Sequence, residues 1–114
     1  MMQKVVRYSL DDVALDHKAV AQALNRACRR GSTRYAVRGL AQIDDALYFV
    51  LLPAGDQLPD EQYVLAPVED RSRSGFTAEL TERWAAGFDL IGTLQLGDGF
   101  LALYARPETP TDEA

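Results

Sequence analysis

Histidine and cysteine, the side chains that most often carry acid–base and nucleophilic chemistry, each occur once in these 114 residues. His17 follows Asp16, and a neighbouring carboxylate can orient an imidazole for proton transfer. Neighbours at a helix start point apart, however, and the sequence places no nucleophile beside them. Cys28 falls on an apolar helical stripe, where a buried thiol without a basic partner is inert. The sequence therefore predicts no catalytic residue, and an enzyme is the least favoured class of function.

Metal and phosphate chemistry have little more support. One histidine and one cysteine cannot supply an ordinary zinc site within a single chain. The carboxylate pairs Asp11-Asp12, Asp44-Asp45 and Asp60-Glu61 lack the spacing of a calcium loop and are typical of turns and solvated loops. Gly97-Asp98-Gly99 opens a strand rather than a helix, so it cannot present helix amides to a phosphate. We expect neither a metal nor a cofactor.

The most suggestive polar stretch, Arg71-Ser72-Arg73-Ser74-Gly75, precedes a predicted helix. Arg71, Arg73 and Ser74 could bind a small anion together with the N-terminus of that helix. The alternative is a solvated linker in which a serine caps the helix.

Composition and charge narrow the classes of partner. A formal net charge of −5 argues against nucleic acid, because proteins that bind it usually present a basic surface. A single cysteine cannot form an intrachain disulfide, and the first ten residues lack the apolar segment of a signal peptide. No stretch approaches the roughly 18 apolar residues that span a bilayer. These features predict a cytoplasmic protein that is not embedded in a membrane.

Hydrophobic periodicity predicts two helices and six strands. The first helix begins after an N-cap at Asp16, carries an apolar stripe that includes Leu24 and Cys28, and stops at Gly31. The second spans about residues 76–86, with Ser74 or Thr77 as its cap and a buried stripe of Phe76, Leu80 and Trp84. The predicted strands are residues 4–9, 35–43, 46–52, 63–68, 88–96 and 100–106.

The order strand–helix–strand–strand occurs twice, in halves of about residues 1–54 and 60–107. Residues 35–39 align with 88–92, and after a one-residue offset at the hairpin residues 47–53 align with 101–107. We expect a single α+β domain over residues 1–107, a two-layer sandwich built from tandem β-α-β-β repeats. Its six strands would form one largely antiparallel sheet with both helices on one face, a ferredoxin-like variant. Leu24 and Cys28 would then share a core with Leu80 and Trp84, and the acidic residues 108–114 would be disordered.

Residues 80–91 resemble a small bacterial β-α-β-β domain family of unknown function. The signature of that family is a helix ending in Gly-Trp-Glu-Leu-Val, followed by a glycine-bearing hairpin and a final aromatic strand. Gly87-Phe88-Asp89-Leu90-Ile91 stands in its place here, with phenylalanine where the family has tryptophan, and Gly97-Asp98-Gly99 supplies the hairpin. The resemblance covers the second half only, and it implies a β-α-β-β fold and no known activity.

The clearest functional indication is that residues 46–52 are apolar on both faces of the predicted strand. Adjacent residues of a strand point to opposite faces, so Tyr48, Val50 and Leu52 lie on one face and their alternates on the other. The alternates are Leu47, Phe49 and Leu51. Because the helices cover one face only, we expect a partner to cover the other. This predicts a non-enzymatic domain that binds a second copy of itself, as a homodimer, or another protein.

The alternative is a small-molecule-sensing regulatory domain, with a ligand between the halves or at a dimer interface. Its polar anchor would be an acidic residue such as Asp89 or Asp98, or the pair Arg71 and Arg73.

Overall fold

A computed structural model describes residues 3–30, 33–54 and 61–107, and it confirms an α+β architecture. The predicted helix stop at Gly31 and the predicted disorder of residues 108–114 lie outside the described residues. In chain order the elements are β1 (Lys4–Ser9), α1 (Leu10–Leu15), α2 (His17–Arg29), β2 (Tyr35–Ile43), β3 (Ala46–Pro53), β4 (Glu61–Pro67), α3 (Arg73–Ala85), β5 (Asp89–Leu96) and β6 (Gly99–Pro107).

The short helix α1 was not predicted, because six residues are too few for a periodic pattern to be recognised. Ser9 caps it by accepting a hydrogen bond from the Asp12 amide at 3.1 Å, and Val13 is completely buried. Asp16 then caps α2 by accepting from the Ala19 amide at 3.1 Å, which confirms the predicted N-cap. The sharp change of direction between the two helices places α2 over the core.

The third helix begins earlier than predicted. Its N-cap is Ser72, whose hydroxyl accepts from the Gly75 amide at 3.1 Å, so the predicted caps at Ser74 and Thr77 are wrong. In α3 the capping side chain accepts from the amide three residues later, and in α2 the same spacing separates Asp16 from Ala19. The two helices can therefore be aligned residue by residue from their caps.

The strands form two antiparallel three-stranded sheets, in the orders β1-β3-β2 and β4-β6-β5, rather than one six-stranded sheet. At the β2–β5 junction a side chain replaces the backbone ladder. Gln42 Nε2 donates to the Gln95 carbonyl at 2.6 Å, and the Gln95 amide donates to Gln42 Oε1 at 3.0 Å. Along the edge of β4, Asn25 of α2 accepts from the Tyr63 amide at 2.8 Å and donates to its carbonyl at 3.1 Å. The edge of β5 is thus bonded by the side chain of Gln42, and the edge of β4 by the side chain of Asn25. The two sheets are connected there through side-chain amides and not through a continuous backbone ladder.

The two sheets share their strand order and the position of their bulge. The ladder shifts between Val37 and Gly39 in the first sheet and between Leu90 and Gly92 in the second. Residue 39 pairs with residue 50, and residue 92 pairs with residue 103, so the offset between halves is 53 residues throughout the hairpin. The predicted one-residue increase of the offset after the hairpin turn is therefore wrong. As a result, each residue of β3 corresponds to the residue of β6 one position before the predicted one.

The main core lies between the two sheets and includes α2. Its buried side chains come from α1 and α2, from the first sheet, and from β4, β5 and β6. On β6 they are Leu101, Leu103 and Ala105, whereas the alternating Ala102 and Tyr104 face a smaller cluster with Leu80 of α3. The second sheet is thus covered on both faces, and α2 and α3 lie on its opposite sides. The core predicted to join Leu24 and Cys28 to Leu80 and Trp84 is wrong for this reason.

Candidate functional site

The strand register decides which of two predicted sets on β3 faces away from the core. The buried set consists of Leu47, Phe49 and Leu51, each completely inaccessible to solvent. Tyr48, Val50 and Leu52 lie on the opposite side, and neither buried cluster of the described residues includes them. The sequence could not distinguish the sets, because both are apolar and only the packing partner differs.

Cross-strand pairing extends this apolar surface over all three strands of the first sheet. Val50 pairs with Val5 on one side and Gly39 on the other, and Tyr48 pairs with Arg7 and Ala41. We name this surface the outer face. Its residues are Val5, Arg7, Gly39, Ala41, Ile43, Tyr48, Val50 and Leu52.

Several outer-face side chains are open to solvent. Val5 is 52% exposed, Ile43 57% and Leu52 39%. Arg7 is the one charged residue at these positions, so the outer face is apolar with a single positive charge. A contiguous apolar surface of this kind is typical of a site that contacts another molecule.

A second surface, which the sequence did not predict, is a groove between α3 and the second sheet with a volume of about 400 Å³. Trp84 was predicted to be buried but is 67% exposed, and it lies outside the smaller cluster in which Leu80 of α3 packs against Ala102 and Tyr104. Leu90 of β5 is 37% exposed on the other wall. The groove is lined by Thr77, Leu80, Thr81, Trp84, Phe88, Asp89, Leu90 and Tyr104.

The two threonine hydroxyls of the groove are both hydrogen-bonded within α3. The Thr81 hydroxyl donates to the Thr77 carbonyl at 3.0 Å, and the Thr77 hydroxyl donates to the Arg73 carbonyl at 2.6 Å. Asp89, a predicted ligand anchor, is among the lining residues, but it pairs with Ala105 and therefore lies on the opposite face of the sheet from Leu90 and Tyr104. The groove is therefore mainly apolar, with the threonine oxygens left as hydrogen-bond acceptors.

Two groove aromatics already have cations over their rings. The Arg83 guanidinium lies 4.9 Å from the Tyr104 ring centre, and the Arg106 guanidinium lies 4.8 Å from that of Phe88. Tyr104 donates to Glu79 at 3.2 Å, and burial raises its pKa. These contacts hold the floor of the groove, whereas exposed Trp84 at its rim is available for contact.

Of the residues predicted to bind an anion, Arg71 is held by neighbouring groups. Arg71 donates to the Asp98 carbonyl at 2.9 Å and lies 5.5 Å from the Phe100 ring centre. The Asp70 carboxylate accepts from the Ser72 amide at 2.9 Å, and this hydrogen bond lowers the pKa of Asp70. Arg73 and Ser74 are exposed in the first turn of α3. A carboxylate of the chain itself thus stands at the start of this helix.

His17 and Cys28 lie at opposite ends of α2. His17 is half-buried in the first turn, and Cys28 is 3% exposed in the main core. Burial raises the pKa of the Cys28 thiol to about 11, so the thiol is protonated at neutral pH. The described residues contain no group of three or more histidine, cysteine and acidic side chains able to hold a metal.

No helix within the described residues is long and apolar enough to cross a membrane. A scan against protein-family models gave no match, and neither did searches of curated proteins and of solved structures. The resemblance of residues 80–91 to a bacterial domain family remains a prediction. The fold and the two surfaces are therefore the basis for a functional conclusion.

Proposed function

We propose that this protein is a cytoplasmic, non-enzymatic association module that binds a second copy of itself through the outer face. The observation that supports this most directly is the exposure of Val5, Ile43 and Leu52 on a sheet whose other face contributes Leu47, Phe49 and Leu51 to the main core. Burying such side chains contributes about 25 cal/mol for each Å² of apolar surface removed from water. The equivalent strand order and bulge of the two sheets support the proposal that the halves arose by duplication.

The size of the outer face sets the expected strength of association. Three strands over about seven residues span roughly 350 Å² for each copy, from standard strand spacings. Stable interfaces bury about 800 Å² for each partner. We therefore expect weak association, with a dissociation constant between about 1 μM and 1 mM.

The test is the mass in solution, measured by light scattering across a dilution series that reaches about 1 mM. The wild-type mass should rise above that of the monomer as the concentration increases. Leu52→Lys should restore the monomer, because it places a charge on the outer face. Leu15→Lys is the matched control, since Leu15 is 85% exposed on α1, away from that face. A wild-type chain that stays monomeric throughout the series would contradict the proposal.

The second candidate is the binding of a small molecule in the groove, favoured by the exposed apolar side chains of Trp84 and Leu90 in its lining. Trp84 is the only tryptophan, so its fluorescence reports directly on the groove. A ligand would shift this emission and raise the melting temperature at protein concentrations too low for association. Asp89→Asn should weaken such a ligand if the ligand is cationic.

A further inference from the structure

The two halves of the chain pack on each other in a head-to-tail manner. The helix-bearing face of the first sheet packs against the face of the second sheet that lies opposite α3. With the offset of 53 residues, Tyr48, Val50 and Leu52 occupy the places of Leu101, Leu103 and Ala105. Those three residues of β6 are at most 4% exposed, because α2 and the first sheet cover them. The outer face is therefore the counterpart of a face that the chain covers with its own preceding half.

The groove is the counterpart of the surface of α2 and the first sheet that covers these residues of β6. Alignment of the helices from their caps, Asp16 and Ser72, places Leu80 on Leu24, Thr81 on Asn25 and Trp84 on Cys28. The hairpin offset likewise places Leu90 on Val37. In the first half these residues hold β4, whereas in the second half the same positions line an open groove.

From these correspondences, and resting on the self-association proposed above, we infer that the outer face of one copy binds the α3 groove of another. The contact would repeat the packing of the first half on the second. Because one surface meets a different one, each added copy leaves both an outer face and a groove free. Such a contact forms open chains, or a closed ring if the rotation between copies closes.

The sizes of the side chains at the two junctions are complementary. Within the chain, Tyr63 of β4 fills the space over the small Cys28, and its hydroxyl accepts from the Val37 amide at 2.8 Å. β1 is the counterpart of β4. Residue 4 pairs with residue 51, residue 64 pairs with residue 104, and residues 51 and 104 are related by the offset of 53. In the proposed contact between copies, Gln3 beside the outer face takes the place of Tyr63, and Trp84 of the groove takes the place of Cys28. The large aromatic side chain is then supplied by the groove instead of by the strand that packs on it.

Backbone clearance agrees with the same contact. A Cβ at Gly92 would lie 2.8 Å from Leu40 Cδ2, so any larger residue there would displace the end of the Leu40 side chain. A Cβ at its counterpart Gly39 would meet only Val50, at 3.5 Å. Within one copy no side chain crowds Gly39. If a second copy approached Gly39 as Leu40 approaches Gly92, that contact would explain why position 39 is a glycine.

The test uses two variants that each block one surface, Leu52→Lys on the outer face and Trp84→Lys at the groove. Each variant alone should be monomeric at concentrations where the wild type associates. Their mixture should form a complex of two chains and no larger species, because one intact outer face meets one intact groove. Trp84 fluorescence should shift to shorter wavelength in the wild type as the concentration rises. Both substitutions introduce lysine, so no new ion pair can produce the recovery.

Gly39→Val and Thr81→Lys form a second pair of variants for the same mixing experiment. Circular dichroism and melting temperature should show that all four variants keep the wild-type fold, because the replaced residues are exposed or uncrowded. The two pairs should behave alike.

The outcomes separate the inference from the proposed function. If Trp84→Lys associates as the wild type does while Leu52→Lys does not, the outer face pairs with itself and only the head-to-tail contact is wrong. If the mixture of variants stays monomeric, the two surfaces do not bind each other, and again only this inference fails. If the wild type is monomeric up to about 1 mM, both proposals fail.

Discussion

Tyr63 joins the two sheets through a single hydroxyl group. The hydroxyl accepts a hydrogen bond from the Val37 amide at 2.8 Å and donates one to Glu61 Oε1 at 2.6 Å. Glu61 in turn pairs with Arg38 at 3.1 Å. Burial and the hydrogen bond to Glu61 both raise the pKa of Tyr63. The bulge at Val37 therefore depends on a residue from the other half of the chain.

We predict that Tyr63→Phe lowers the free energy of unfolding by about 1–3 kcal/mol, because a buried amide loses its acceptor. Tyr35→Phe is the matched control and should change stability by less than about 0.5 kcal/mol, since Tyr35 is only half-buried and keeps its contact with Lys4 through the ring. Urea unfolding of both variants measures the difference. Equal effects of the two substitutions would show that the hydroxyl of Tyr63 does not support the junction.

The elements β2 and β5 meet at their edges, and this junction has a strict size limit. Gln42 and Gln95 bond across it, and Leu40 packs over Gly92. The equivalent glycine of the first sheet, Gly39, lies on the outer face without such a neighbour. The same residue type at matched positions is thus under different packing constraints.

Gly92→Val should destabilise the fold by about 1–3 kcal/mol, because the added methyl groups displace Leu40 and disturb the junction. Gly39→Val should be close to neutral at low protein concentration, since valine suits a strand and meets only ordinary contacts. Thermal unfolding of the two variants at about 0.5 μM, below the expected range of association, compares them directly. Equal losses of stability would mean that glycine at both positions serves the bulge rather than the packing.

At the scale of the whole molecule, one core unites two halves that have the same strand order. Val37, Leu47 and Phe49 of the first half share the main core with Leu65 and Leu103 of the second. Each half alone would expose to water the apolar side chains that it now buries against the other half. We therefore expect that the two halves share a strand order but do not fold as independent domains.

A chain divided between residues 54 and 61 tests this interdependence. Each fragment alone should be largely unfolded by circular dichroism, and an equimolar mixture should recover the spectrum of the intact chain. The β2–β5 and α2–β4 contacts would supply the binding energy. A stably folded second-half fragment would contradict the prediction and would show that α3 and the second sheet need no partner.

Local patterns in the sequence were sufficient for most of the secondary structure and for the composition of the candidate surface. The alternation in residues 46–52, the glycine-bearing hairpin at Gly97, and the cap at Asp16 are determined by short-range sterics and hydrogen bonding, so they can be read without a fold. The same patterns showed that one strand is apolar on both faces. They did not show which face meets the core.

Tertiary structure alone decided that face, the number of sheets and the groove. Whether Tyr48 or Phe49 points outward depends on register against strands distant in sequence, and either answer satisfies the local pattern. Two sheets form instead of one because Gln42 and Asn25 bond the strand edges, a role that their residue type does not reveal. Trp84 lies open because α3 packs on the far side of the second sheet from α2. Long-range packing therefore determined where this chain leaves apolar surface exposed.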